Sequence, residues 1–322
     1  MIKTVLLTAV VIFFAMNMGG SGIAPSFAAL YGSKLISKRR ALFFFAVFVI
    51  AGAVILGRNV SLTLGKGLLA PVFVTPKTVL AILSAAAVSL FLANILKIPQ
   101  STSQVTVGAI AGAGLYFQHF YVKTLFLKIL PMWVILPFLS YTLTFFLYRI
   151  IYPPEHDNLH IYQKLFANEK KLRLSSFIVS CYVAFAIGTN NVANAVGPLA
   201  GAGIISVNAG LPLVAPLFGI GAGVIGKGPL ETAGGEIVPL GLFSSTLVSF
   251  VTATLLIFAS IFGVPQSLVQ LNLFSIFAIS CVKNGHRCTL DHHITRKTFW
   301  VWLITPVAAI IISYILLVIF NQ

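Results

Sequence analysis

The motif Pro99-Gln100-Ser101-Thr102-Ser103-Gln104 returns later in the chain as Pro265-Gln266-Ser267-Leu268-Val269-Gln270. Each copy opens an apolar run, and the first copy carries five uncharged polar side chains in succession. Proline followed by hydroxyl residues at the start of such a run is typical of a capped helix N-terminus. The motif therefore predicts two helices that begin in the same way in two parts of the chain.

The composition is that of a membrane protein. Of 322 residues, 58% are hydrophobic and 8% are charged, and the mean hydropathy is +1.01. A soluble chain usually carries about a quarter charged residues, so a soluble enzyme is excluded. The high apolar content also excludes a disordered chain. We interpret the net charge of +15 as loop charge that orients membrane spans, and not as a nucleic-acid-binding surface.

Ten apolar segments are candidates for membrane spans, since a helix needs about 20 apolar residues to cross the hydrocarbon core. They lie near residues 3–18, 41–57, 78–96, 103–117, 128–151, 173–187, 205–226, 238–262, 268–283 and 298–320. The sequence thus predicts an all-α polytopic membrane protein. Its first repeat is residues 1–152, a linker loop is 153–172, and the second repeat is 173–322.

Further blocks repeat in the same order. Gly57-Arg58 corresponds to Gly226-Lys227 and Gly19 to Gly188, and the spacing along the chain is the same in both cases. Because about five spans per repeat is an odd number, the second copy must cross the membrane in the opposite sense. Inverted repeats with broken or re-entrant helices are typical of secondary transporters. A duplicated scaffold without a transport role is the alternative. The first segment resembles a secretory signal, but its match to the second repeat predicts that it is retained.

Basic residues divide unevenly between the two sides. With ten alternating spans, the loops after the odd-numbered spans carry 15 of the 21 Lys and Arg residues. Positively charged loops tend to remain inside. We therefore expect a plasma (inner) membrane protein with the 153–172 loop in the cytoplasm and both termini outside.

The segment Gly188-Thr189-Asn190-Asn191-Val192-Ala193-Asn194 places three amides directly after an apolar span. Amides at this depth cost free energy unless they bond to a partner or a ligand. Gly197-Pro198 and Gly201 follow this segment and can break the helix there. A restarted helix offers free N–H groups and a positive dipole end, which suit an anion. Hydrogen bonding between helices is the competing interpretation.

Glu231 lies four residues after Lys227. A structural ion pair and a site for a coupling proton both fit this spacing. The segment from Gly221 to Lys227 has Walker A spacing, but Gly228 stands where Ser or Thr would bind magnesium. We therefore assign a helix-packing role to four glycines: Gly219, Gly221, Gly223 and Gly226.

A cluster of His286, Cys288, His292 and His293 lies in a basic loop. Its spacing fits no standard zinc finger, and the three cysteines of the chain fit no disulfide framework. We predict no metal site and no cofactor other than a coupling ion, and the metal affinity of this loop is left open.

These blocks resemble the inorganic phosphate transporter (PiT) family. Residues 188–195 resemble its GANDVANA motif, and residues 99–102 and 231–234 resemble its other motifs, so that the resemblance covers nearly the whole chain. The resemblance implies ion-coupled transport of an inorganic oxyanion, and no enzymatic reaction. It also implies inverted repeats and external termini.

Two departures from the family motif affect the choice of substrate. Asn191 stands where the family has Asp, and in the first half Gly22 occupies the same position. The Asn form resembles the sulfate permease branch of the family. Phosphate at neutral pH keeps a P–OH donor, which favours a carboxylate, whereas sulfate only accepts hydrogen bonds and suits Asn, Gln, Ser and Thr donors. The loss of hard-cation ligands favours coupling to protons over coupling to sodium.

We therefore expect a proton-coupled sulfate symporter. A phosphate symporter coupled to sodium or protons is the alternative, and a passive channel is the alternative of a different class. The predicted substrate ligands are Asn190, Asn191, Asn194, Ser21, Gly22, Ser101, Thr102, Ser103 and Ser267. Coupling or structural roles are predicted for Glu231, Thr232, Thr63, Gln104 and Gln270. The expected partners are the oxyanion and membrane lipid but no nucleic acid, and the oligomeric state is left open.

Overall fold

A computed structural model of the chain describes residues 2–95, 100–226, 240–285 and 293–321. Within these residues every regular element is helical, apart from a single β-bridge between Leu69 and Phe120. The α-helices are α1 (Ile2–Gly32), α2 (Lys38–Leu56), α3 (Arg58–Lys66), α4 (Pro76–Ile95), α5 (Thr102–Phe117), α6 (Val122–Thr124), α7 (Leu130–Arg149), α8 (Leu159–Ala167), α9 (Glu169–Asn191), α10 (Ala193–Gly201), α11 (Val207–Val224), α12 (Leu242–Ile261), α13 (Leu268–Asn284) and α14 (His293–Asn321). A 3-10 helix (Pro71–Phe73) precedes α4, and a π-helix (Leu125–Ile129) joins α6 to α7.

The all-α membrane class is confirmed, because eight helical segments in the described part of the chain are long and apolar enough to cross a membrane. The other two of the ten candidate spans form the shorter helices α5 and α13, of 16 and 17 residues. At 1.5 Å per residue these helices are about 24 and 26 Å long, less than the roughly 30 Å of a bilayer core.

The helix does not break at Gly197-Pro198, but it ends at Gly201, the other predicted position. The interruption falls instead at Val192, between α9 and α10, and Val192 keeps right-handed helical dihedrals (φ −61°, ψ −32°). Pro198 lies inside α10. A proline is tolerated within a membrane helix when neighbouring groups satisfy the carbonyl that it leaves free.

Helices α4 and α5 form a first hairpin whose two open ends lie together. Phe73, just before α4, stacks on Phe117 at the end of α5, with ring centroids 4.9 Å apart. The bridge between Leu69 and Phe120 joins the same two segments. The chain therefore leaves this hairpin at the end of the molecule where it entered.

Helices α12 and α13 form a second hairpin, which opens at the opposite end. The start of α12 and the end of α13 line one cavity together with Tyr148 and Tyr152. Tyr148, Val248 and Ile279 also form a small apolar cluster there. Since α7 begins shortly after Phe120 and ends at Arg149, the two open ends are separated by one membrane-spanning helix.

The returning hairpins bear on the prediction of orientation. A hairpin that leaves the membrane where it entered has the same effect on loop sides as two complete crossings. The uneven division of basic loops is thus unaffected by the shortness of α5 and α13, and the orientation of the termini stays a prediction.

Contacts between the helices follow a paired pattern. Helix α1 packs on α11 as α9 packs on α2, and α5 packs on α14 as α13 packs on α7. Two glycines at equivalent positions permit close crossings, because a Cβ at Gly19 would collide with the Phe218 carbonyl and one at Gly188 with the Val49 carbonyl. This pairing is expected if the two halves share one fold.

Candidate substrate-binding site

The helices α5 and α13 begin inside the protein, at the hairpin tips. The N-cap Ser101 Oγ accepts a hydrogen bond from the Gln104 backbone N–H at 3.2 Å, and Ser267 Oγ accepts one from the Gln270 N–H at 3.1 Å. The two caps are only 1% and 2% exposed. The predicted capped N-termini are confirmed. Their burial means that these caps do not lie at the surface of the protein.

The two tips meet at the Asn190 amide. Its Nδ2 donates to Ser260 Oγ at 2.9 Å and to the Val264 carbonyl at 3.0 Å. Its Oδ1 accepts from the Gln266 backbone N–H at 3.0 Å. Ser103 of the first hairpin donates to the Gln266 carbonyl at 3.1 Å and lies 3.4 Å from the Asn190 oxygen. Asn190 and Ser103 therefore bridge both hairpins.

Asn194 joins the same cluster from α10. Its Nδ2 lies 3.4 Å from both Thr102 Oγ1 and Ser103 Oγ. The structure thus places three helix ends around one buried polar cluster, namely the start of α5, the start of α13 and the junction of α9 and α10.

Eight buried side-chain atoms at these tips have no hydrogen-bond partner among the described residues: Gln100 Oε1 and Nε2, Gln104 Oε1, Asn191 Oδ1, Asn194 Oδ1, Gln266 Oε1 and Nε2, and Gln270 Oε1. Gln100 and Gln266 occupy equivalent positions of the repeated motif, and within that part of the chain neither atom of either amide is bonded. An unsatisfied buried polar group costs about 1–3 kcal/mol. Their concentration at the meeting point of two helix N-termini is typical of a ligand site.

The cluster has no negative side chain among the described residues, whose acids, Glu155, Asp157 and Glu169, all lie in the linker region. A cation lies beside the second tip, where Lys128 Nζ donates to Thr63 Oγ1 at 3.3 Å. The electrostatics of the described site therefore favour an anion.

Several predicted site residues lie elsewhere. Ser21 Oγ donates to the Met18 carbonyl of its own helix at 3.0 Å, and a Cβ at Gly22 would face the side chains of Phe45 and Ile187. No hydrogen bond among the described residues joins Ser21 to the cluster, so the ligand role of these two residues stays a prediction.

Thr63 is buried beside the second tip, where a Cβ at Gly263 would approach its Oγ1 to 3.0 Å. Glu231 and Thr232 lie outside the described residues. So do His286, Cys288 and His292 and the side chain of His293. The coupling and metal predictions for these positions are therefore untested.

Sequence reasoning missed the residues that fasten the tips. Ser260 accepts from Asn190, Asn59 Nδ2 donates to the Ile261 carbonyl at 2.8 Å, and Asn94 Nδ2 lies 3.4 Å from Asn17 Oδ1. The spacing along the chain that relates Gln100 to Gln266 also relates Asn94 to Ser260. The repeat spacing alone could therefore have identified Asn94 and Ser260 as equivalent polar residues near the two tips.

Comparisons with known proteins identify the family and the fold of this chain. A family profile described as "Phosphate transporter family" matches residues 18–169 and again residues 155–313. The chain belongs to the phosphate transporter family. The resemblance found in the sequence is thereby confirmed, and the protein is a membrane transport protein and not an enzyme.

Relatives of this transporter include proteins named for either oxyanion. Sulfate permease CysP of Bacillus subtilis is 37% identical over 310 residues, covering 96% of this chain and 86% of that protein. Sodium-dependent phosphate transporter 1-B of Danio rerio is 26% identical over 155 residues, 45% of this chain and 23% of that protein. A solved structure, "The sodium-dependent phosphate transporter", shares the fold with a TM-score of 0.85 at 22% identity, covering 100% of this chain and 99% of that chain.

Proposed function

We propose that this transporter is an ion-coupled symporter that imports a fully ionised oxyanion, with sulfate as the preferred substrate. The observation that carries the proposal is the buried cluster without described carboxylates, in which the N-termini of α5 and α13 converge. Helix N-termini bind anions through free N–H groups and the helix dipole. The donors of the proposed site are the amide of Asn191, the hydroxyl of Thr102 and the first backbone N–H groups of the two helices. Asn194 Nδ2 is a further donor, since its contacts with Thr102 and Ser103 are long, at 3.4 Å.

The choice of sulfate rests on the balance of donors and acceptors. A monoprotonated phosphate needs an acceptor for its P–OH group, and a carboxylate is the strongest acceptor available to a protein. The similarity to a sulfate permease over 96% of the chain supports the same choice. Phosphate remains the second candidate, because Asn191 Oδ1 and Asn194 Oδ1 are buried acceptors without partners in the described part of the chain.

Proton coupling and an inverted repeat complete the proposal. Neutral oxygens bind a hard cation more weakly than carboxylates do, so a proton is favoured over sodium. The opposite openings of the two hairpins and the paired helix contacts support two halves of opposite sense. The loop charges support external termini and an inward linker.

The test is uptake of radiolabelled sulfate into proteoliposomes, with pH and sodium gradients imposed separately and phosphate as competitor. We expect an inward proton gradient to drive sulfate accumulation, and we expect excess phosphate to compete weakly. Sodium-driven phosphate uptake that sulfate does not inhibit would reject the substrate assignment. Downhill flux that ignores both gradients would establish a passive channel instead.

A pair of variants locates the site. Asn191→Ala removes a buried amide from the cluster, and Asn208→Ala removes an exposed amide at the start of α11. A hydrogen bond to a charged group is worth about 1.5–3 kcal/mol, so we expect the first variant to raise the KM for sulfate by roughly tenfold or more. The second should match the unmodified transporter. Equal KM values for the two variants would place the site elsewhere.

A further inference from the structure

Asn190 differs from Asn191 and Asn194 because both polar atoms of its amide have protein partners, whereas Asn191 Oδ1 and Asn194 Oδ1 have none among the described residues. Both Nδ2 hydrogens are donated, one to Ser260 and one to the Val264 carbonyl, and Oδ1 accepts from the Gln266 N–H. The remaining lone pair of Oδ1 lies 3.4 Å from Ser103 Oγ. An amide has two donors and two acceptor lone pairs, so Asn190 retains no free donor for an anion.

The backbone partners fix the orientation of this amide. The Val264 carbonyl can only accept and the Gln266 N–H can only donate, so Nδ2 must face the first and Oδ1 the second. These two groups flank Pro265, whose own carbonyl accepts from Trp133 Nε1 at 2.7 Å. One side chain thus spans the second hairpin tip on both sides of its proline, where the backbone has left α12 and has not yet entered α13.

The next residue after Gln266 is the N-cap Ser267. The position of Gln266 therefore sets where α13 begins and where its first free N–H groups point. Ser21, which the repeat aligns with Asn190, donates instead to the Met18 carbonyl of its own helix, and no hydrogen bond in the described part of the chain ties it to Gln100.

We propose that Asn190 is a positioning residue that holds the N-terminus of α13 in place for the substrate, and is not itself a substrate ligand. The proposal deepens the proposed function, on which it rests for the identity of the substrate. The hydrogen bonds of Asn190 to the second tip are present without substrate. The proposal can therefore be tested separately from substrate binding.

Hydrogen exchange of the substrate-free transporter in nanodiscs tests the hold directly. Asn190→Ala removes the acceptor of the Gln266 N–H. Loss of one buried hydrogen bond should raise amide exchange in residues 262–270 by roughly tenfold. Ser260→Ala removes one contact of Asn190 at little cost in volume, and should raise exchange in the same segment by about threefold.

Ser275→Ala is the matched control. Ser275 lies on α13 about two turns beyond the tip, where its Oγ is 2.7 Å from Ser140 Oγ and accepts from Thr144 Oγ1 at 2.9 Å. This variant also loses buried hydrogen bonds, but exchange at 262–270 should stay unchanged. A rise at 262–270 equal to that of Asn190→Ala would show a general loosening of α13 and would overturn the proposal.

A substrate ligand would behave differently from a positioning residue. If Asn190 only ligated the anion, exchange of Asn190→Ala without substrate would equal that of the unmodified protein, and the proposal would fail. Should Asn190→Ala not fold, unchanged exchange in Ser260→Ala would have the same meaning. Because these measurements use no substrate, absence of sulfate uptake would refute the proposed function and leave the exchange result intact.

Sulfate uptake supplies a second readout. We expect Asn190→Ala to raise the KM by roughly tenfold, the equivalent of about one hydrogen bond. Ser260 also accepts from Thr189 Oγ1 at 2.9 Å, but the hydrogen bond between Asn190 and Ser260 is lost in either single variant. The double variant should therefore raise the KM by less than the product of the two single effects. Additive effects of the two substitutions would contradict this dependence.

Discussion

Gly219 on α11 provides a sharp test of how tightly the two halves are packed. A Cβ built at this position would lie 2.6 Å from the Ala46 Cβ of α2 and 3.4 Å from the Ala46 Cα. Ordinary contact begins near 3.4 Å, so Gly219→Ala requires α2 and α11 to separate by roughly 0.8 Å, the difference between those distances. Overpacking of this kind typically costs about 1–3 kcal/mol.

Gly223, one turn further along α11, is the internal control because a Cβ there would meet nothing within 4 Å among the described residues. Both substitutions gain the same helix propensity, at most about 1 kcal/mol. The difference between them therefore isolates the steric term. At about 2 °C per kcal/mol for a large chain, Gly219→Ala should unfold roughly 2–6 °C below Gly223→Ala.

A compensating substitution completes the design. In the double variant Gly219→Ala with Ala46→Gly, the new Cβ meets only the Ala46 Cα position at ordinary contact distance. Thermal unfolding in detergent, followed by loss of the monodisperse peak, should show recovery of most of the lost stability. Equal unfolding temperatures for Gly219→Ala and Gly223→Ala, or no recovery in the double variant, would refute the close packing of α2 on α11.

Three further outcomes are expected. Ser267→Ala removes an N-cap worth about 0.5–2 kcal/mol, so thermal unfolding should begin at a lower temperature and the KM for sulfate should rise. Asn191→Asp adds a charge that repels a dianion and an acceptor for P–OH, so the ratio of phosphate to sulfate uptake in competition assays should increase. Glu169→Gln removes an ion pair between Glu169 and Arg173, whose side chains are 69% and 50% exposed, respectively. The unfolding temperature should therefore change by less than about 2 °C.

The sequence predicted the helix starts better than the helix ends. Pro-Gln-Ser before an apolar run identified both buried caps, because capping depends on neighbouring residues only. The segment Gly19–Gly22 suggested the end of a span, yet α1 continues to Gly32. In lipid, an unpaired backbone group is so costly that a helix persists through glycine.

The tertiary part of the site was harder to predict. Apolar runs as short as those of α5 and α13 fit a short span and a re-entrant helix equally well. Tertiary contacts distinguish the two, namely the contact of Phe73 with Phe117 for α5 and the cavity shared with Tyr148 for α13. The segment Gly188–Asn194 was recognised as a polar site because its amides directly follow an apolar span. The assignment of Asn190 to the second tip needed the positions of Val264 and Gln266, which belong to a distant part of the chain.

The returning hairpins also have a consequence for biosynthesis. A hairpin that enters and leaves the membrane at one face does not carry a polar loop across to the other face. The amides and hydroxyls of each tip become buried between helices that are already inserted, where protein and not lipid surrounds them. Helices α1 and α9, which pack on α4 and α12, would therefore have to be in the membrane before the polar cluster of the two tips could leave water.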